Sequence, residues 1–162
     1  MLNIKIICVG KIKEKSLKDL CDEYVKRLSK YSKIEIIELD DEKLPQNLND
    51  TEIEKIKEIE SNKIKEKIEK IGKCTVFFLD LKGKEYTSED FSKKIDTLTT
   101  YGTSTLVFVI GGSLGMTNEL LSTSNYKICF SKMTFPHQLI RVFLLEQVFR
   151  AFKIINHETY HH

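Results

Sequence analysis

No run of apolar residues in this chain approaches the roughly 20 that a membrane-spanning helix needs. Its opening, MLNIKIICVGKIKEK, has too short an apolar core for a signal peptide and no small-residue cleavage site, so a cytoplasmic protein is expected. The four cysteines, Cys8, Cys21, Cys74 and Cys129, lie far apart without a C-x-x-C spacing. That excludes the usual zinc and thioredoxin-like patterns and predicts reduced structural thiols. His157 and His161 stand four apart but lack a carboxylate at suitable spacing, so no metal is expected. With two prolines and no Ser/Gly/Pro-rich stretch, there is no linker, and no repeat is present. A single domain over residues 1–162 follows. A net charge of +2 is a further absence, because a protein that grips naked nucleic acid by charge alone carries a basic excess or run.

What charge there is lies unevenly. From Lys127 onward there are five Lys/Arg against two Glu, and all four histidines fall there as well. A bound polyanion is therefore expected near the C-terminal end.

The apolar pattern alternates between strand and helix periods. NIKIICVG, KIEIIEL, CTVFFLDL, STLVFVI and YKICFS read as strands, the third and fourth as continuous apolar runs covered on both faces. Between them, EKSLKDLCDEYVKRLSKY, DTEIEKIKEIESNKIKEKIEKIG and MTNELLSTS read as helices, with KGKEYTSEDF as a loop whose Thr87 and Asp90 make a capping box. The second helix carries a narrow stripe of Ile53, Ile56, Ile59 or Glu60, Ile64 and Ile68 and stops at Gly72. An α/β fold results, a mostly parallel sheet flanked by helices.

Three strand ends are unusual: Leu79-Asp80 with Gly83 beyond, Gly111-Gly112-Ser113-Leu114-Gly115, and the hexad Phe130-Ser131-Lys132-Met133-Thr134-Phe135. Ligands of open parallel sheets sit beyond such ends. A glycine turn admits a flat ligand to the backbone, although GGSLG by itself fits neither nucleotide fingerprint and reads first as a tight turn. The closing helix is more telling. From Leu139 to Ile155, 12 of 17 residues are apolar, which calls for two burial partners, the sheet and a second copy of the chain. Glu146 can pair with Arg150 one turn on. Arg141 projects opposite that pair and is either a buried ion pair or a positioned cation. Pro136 presets the first helical turn, with His137 beside it, while Tyr160 and His161 sit in a tail too polar for core.

VFVIGGSLG, then FSKMTFPHQLIRVFLLEQVFRAFKI and a terminal Tyr-His, with CVGKIKEK at the start, resemble the RlmH (YbeA) family of SPOUT-class methyltransferases along essentially the whole chain. The resemblance implies a trefoil-knotted α/β fold, an exception to the rule against threaded chains. It implies a homodimer that methylates N3 of pseudouridine 1915, in helix 69 of 23S ribosomal RNA, on assembled 70S ribosomes, with S-adenosylmethionine. It assigns cofactor binding to Leu79, Gly111, Phe130, Ser131, Lys132, Met133, Thr134 and Phe135. The family ends Tyr-His-basic; here His162 stands in the basic place. Under this reading Arg141 suits a cation that steadies a developing imide anion, His137 or His161 a proton acceptor, and Arg141, Tyr160 and His161 the RNA contacts. Rival readings are a SPOUT enzyme for transfer RNA, a non-catalytic dimeric nucleotide-binding protein of the ribosome, and a flavodoxin-like module.

Overall fold

A computed structural model describes residues 1–162. The strands are β1 (Leu2–Val9), β2 (Ser32–Leu39), β3 (Thr75–Glu85), β4 (Thr105–Ile110) and β5 (Tyr126–Cys129). Interleaved with them are α1 (Lys15–Leu28), α2 (Asp50–Ile71), α3 (Ser88–Thr100), α4 (Asn118–Leu121) and α5 (His137–Ile155). All four strand pairings are parallel, in the order β2-β1-β4-β3-β5. The α/β fold with a parallel sheet flanked by helices is thus as expected. No helix is long and apolar enough to cross a membrane.

Strand alternation divides the core. Ile4, Ile6 and Cys8, with Phe77, Leu106 and Phe108, face a large cluster that α1, α3 and α5 cover. Ile7, Val9, Val76, Phe78, Val107 and Val109 face the other way, onto Ile64 of α2 and Leu120 of α4. Burial on both faces explains why β3 and β4 read as unbroken apolar runs.

Helix ends follow local chemistry. Asn49 caps α2 by accepting the Glu52 amide at 2.8 Å, and Gly72 ends it with φ at 84°. Thr87 accepts the Asp90 amide at 3.0 Å, so half of the expected capping box forms.

The third strand departs from expectation. KGKE, read as loop, belongs to β3, which pairs Leu79 with Ile128 of β5, loops out, and rejoins β5 at Lys84 opposite the same Ile128. Gly83 makes this possible, since a Cβ there would lie 2.7 Å from the Lys127 carbonyl carbon. Two chain segments cross at a distance that only a bare backbone allows.

Candidate active site

The hexad leaves β5 and runs into Pro136, which caps α5 without a side-chain hydrogen bond. Its course is set locally. The Ser131 hydroxyl accepts the Met133 amide at 3.0 Å, and the Cys129 thiol donates to the Ser131 carbonyl at 3.0 Å. The Phe135 ring packs edge-on against Phe143 of α5, with centroids 5.6 Å apart. Lys132, Met133 and Thr134 are exposed.

A cavity of about 480 Å³ opens against this loop. Tyr86, Thr87, Ser88 and Phe91 line it from the start of α3, Ile128, Cys129, Phe130, Ser131 and Phe135 from β5 and the hexad, and Phe143, Glu146 and Gln147 from α5. Its polar groups are locked to one another. The Ser88 hydroxyl donates to Gln147 Oε1 at 2.8 Å, and Gln147 Nε2 donates to Glu146 Oε2 at 3.1 Å. Arg150 donates to Glu146 Oε1 through Nε at 3.0 Å and Nη2 at 2.5 Å, which is the pair expected one turn apart.

The tail folds onto this network. The Tyr160 hydroxyl donates to Glu146 Oε1 at 3.2 Å, and the Arg150 guanidinium lies 4.8 Å from the Tyr160 ring centre. Burial, and then the Glu146 charge, push the Tyr160 phenol up to about 12. Arg150 Nη1 meets His161 Nδ1 at 3.1 Å, and His161 Nε2 meets Glu89 Oε1 at 2.6 Å. Because an arginine only donates, Nδ1 is the accepting nitrogen in that contact and Nε2 faces the carboxylate, so both ring nitrogens are engaged. That hydrogen bond holds the exposed Glu89 carboxyl below its ordinary value.

Arg141 and His137 lie elsewhere. His137 lines a smaller polar cavity of about 310 Å³ with Gly10, Lys11, Lys13, Asp40, Asp41 and Gln138, beyond the ends of β1 and β2. Burial, then Arg141 and Lys13, lower its imidazole against an opposing pull from Asp41. Arg141, with 4% of its side chain exposed, donates through Nη1 to Glu38 at 2.7 Å and through Nη2 to the Gly10 carbonyl at 3.3 Å. Of its two expected roles the geometry displays the buried ion pair. Its guanidinium faces Glu38 and the Gly10 carbonyl beneath the sheet ends and does not line the cavity at the hexad. Leu79 packs half-buried against the larger core, and Gly111 closes β4; neither lines either cavity.

Sequence reading missed Glu60, which is 4% exposed. Its Oε2 accepts the Glu42 amide at 2.9 Å, and its Oε1 lies 2.6 Å from where a Gly112 Cβ would stand. Burial raises its carboxyl, with Asp41 and Glu42 adding to the effect while the Glu42 amide and Lys63 oppose it. Next to it, the Ser61 hydroxyl accepts the Thr117 amide at 3.0 Å. Glu60 and Ser61 therefore brace both sides of the glycine turn, and the signal was a Glu on the isoleucine stripe. Ser88 and Gln147 carried no signal at all, for they meet only once α3 docks on α5.

Comparison with known proteins agrees with this architecture. The family described as "Predicted SPOUT methyltransferase" matches residues 2–161. A Clostridium perfringens protein named ribosomal RNA large subunit methyltransferase H 1 is 56% identical over 160 residues, 99% of each chain. A Clostridium botulinum protein named ribosomal RNA large subunit methyltransferase H is 58% identical, again across 99% of both. A solved structure, a probable methylase family protein from Haemophilus influenzae, superposes with a TM-score of 0.57 at 12% identity, over 99% of this chain and 71% of that one. At that identity it speaks for the fold alone.

Proposed function

From the SPOUT methyltransferase family, to which this chain belongs, we propose that it methylates N3 of pseudouridine 1915 in helix 69 of 23S ribosomal RNA. The full-length identity of 56% and 58% to proteins named large subunit methyltransferase H carries this reading. Its substrate is ribosomal RNA in the assembled 70S ribosome, its methyl donor S-adenosylmethionine, its working form a cytoplasmic homodimer of single-domain chains.

The residues present fit such a donor. A flat nucleoside needs bare backbone and apolar walls, which Gly111-Gly112, Leu79, Phe130 and Phe135 supply. Ser131, Lys132, Met133 and Thr134 complete the hexad assigned to it. A sulfonium cation tolerates buried carboxylates, and Glu60 stands behind the turn. When bound, the donor supplies an already electrophilic methyl, so no metal is required. The chain's task is alignment. N3 must lose its proton, bond to the methyl carbon, and leave the donor as a neutral thioether. Pseudouridine N3–H is a weak acid, so that proton is part of the barrier. Of the two candidate acceptors, His137 has its imidazole shifted downward by burial and by Arg141, whereas His161 would first have to release Arg150.

A near-neutral protein reads a looped-out base and shaped RNA rather than phosphate charge, so short naked RNA is a poor substrate under this reading. The test is mass spectrometry of 23S RNA from ribosomes lacking the modification, after incubation with the protein and S-adenosylmethionine. A gain of one methyl at the helix 69 pseudouridine is expected. Absence of that gain, or efficient methylation of an isolated hairpin at physiological salt, overturns the proposal.

A further inference from the structure

The cavity beside the hexad has a polar wall whose use the cofactor assignment leaves open. We propose that it receives the acceptor base, and that Glu146 Oε2 reads the one hydrogen-bond donor that separates pseudouridine from uridine. This rests on the functional reading above and adds a residue that distinguishes the two bases.

Three observations carry it. The cavity takes Phe130, Ser131 and Phe135 from the hexad but neither Leu79 nor Gly111. It therefore shares a wall with the assigned cofactor residues while lying apart from Leu79 and Gly111, as methyl donor and acceptor require. Its size, about 480 Å³, suits a nucleoside, and Phe130, Phe135 and Phe143 offer rings on which an unstacked base can lie. Its only charged lining group is a carboxylate, which repels phosphate and favours a neutral ring with N–H donors.

The carboxylate is specific in its vacancy. Glu146 Oε1 is filled by Arg150 and Tyr160, whereas Oε2 accepts one bond, from Gln147. A carboxylate oxygen has room for two. Gln147 is itself held by Ser88, so Oε2 cannot swing away. Pseudouridine, joined to ribose through carbon, presents N1–H where uridine presents C5–H. An acceptor fixed in the cavity wall gains a charge-assisted bond from the first and none from the second. Losing such a bond to a charged group corresponds to roughly tenfold to a hundredfold in rate.

The experiment compares single-turnover methylation of ribosomes bearing pseudouridine or uridine at the acceptor position. Wild-type protein is expected to favour pseudouridine by about tenfold or more, and Glu146→Gln to bring the ratio towards one while its S-adenosylmethionine affinity stays within about twofold. Gln147→Ala, which leaves the Arg150 pair intact but releases the hold on Oε2, should lower the ratio only part of the way. An unchanged ratio in Glu146→Gln overturns the inference, and so does parallel loss of donor binding, which would make the cavity part of the cofactor site. Should Glu146→Gln not fold, Glu146→Asp, with the charge withdrawn by one methylene, replaces it under the same criteria. Equal wild-type rates on the two bases overturn the inference without any variant. Failure of the functional reading looks different, since wild-type protein would then methylate neither substrate.

Discussion

Arg141 and Glu38 stand 103 positions apart and meet beneath the sheet ends. Burial alone would raise the Glu38 carboxyl, yet the Arg141 bond and the Ile12 amide outweigh it and leave the group below its ordinary value. A carboxyl depressed by folding adds stability above its unfolded value, and that stability is lost as pH falls through the lower folded value. Arg141→Ala should therefore cost stability at neutral pH and flatten the acid limb of the pH profile below about pH 4.5. Breaking a buried pair costs roughly 3–5 kcal/mol, and because the Glu38 side chain keeps 34% exposure the loss here should be nearer 2–3 kcal/mol. Urea unfolding of both proteins from pH 3 to 8 measures both effects, and an acid limb identical in the two would sink the argument. Sequence alone could balance but not decide the role of Arg141. Its helical position was legible, whereas its partner on β2 was not, since nothing local ties residue 38 to residue 141.

Elements were read more securely than contacts, because each carries its own period. All five strands and five helices were legible as apolar runs, stripes and caps. The end of β3 was not. KGKE is polar and glycine-bearing, and it counts as strand only because β5, a distant segment, pairs with it twice. Gly83 is the residue on which that second pairing turns. A methyl at Gly83 would lie 2.7 Å from the Lys127 carbonyl carbon and 2.8 Å from the Ile128 nitrogen, and backbone has nowhere to yield. Overpacking costs roughly 1–3 kcal/mol where side chains can shift, so Gly83→Ala should lie at or above the top of that range. Gly102→Ala is the comparison, with φ at 101° and no atom near its added methyl. It should cost only the roughly 1–2 kcal/mol of an L-residue at positive φ. Thermal unfolding of the two variants separates crowding from backbone conformation. Equal losses would mean that the crossing at Gly83 is looser than its geometry indicates.

At the scale of the whole molecule, the exposed apolar side chains say where a second copy should lie. Phe143 is 40% exposed on a helix that otherwise buries both flanks of its apolar surface, and Met133 of the adjoining hexad is 74% exposed. The composition of α5 already called for two burial partners, and within one chain α1 and α3 cover only part of it. A monomer leaves these groups in water beside the cavity that the proposed chemistry uses, so pairing would bury them and close the site in one step. If that is so, stability is tied to protomer concentration. The melting temperature should rise with protein concentration, and sedimentation should give twice the mass of one chain. With Phe143→Leu as the control that removes the same cavity ring without adding charge, Phe143→Glu places a charge on the exposed patch. It should sediment as one chain, keep its circular dichroism, and lose methylation of ribosomes by about a hundredfold or more, the size of effect expected when alignment is lost. A Phe143→Glu protein that stays paired, or a monomer that methylates at the wild-type rate, would show that the second copy is not what completes the site.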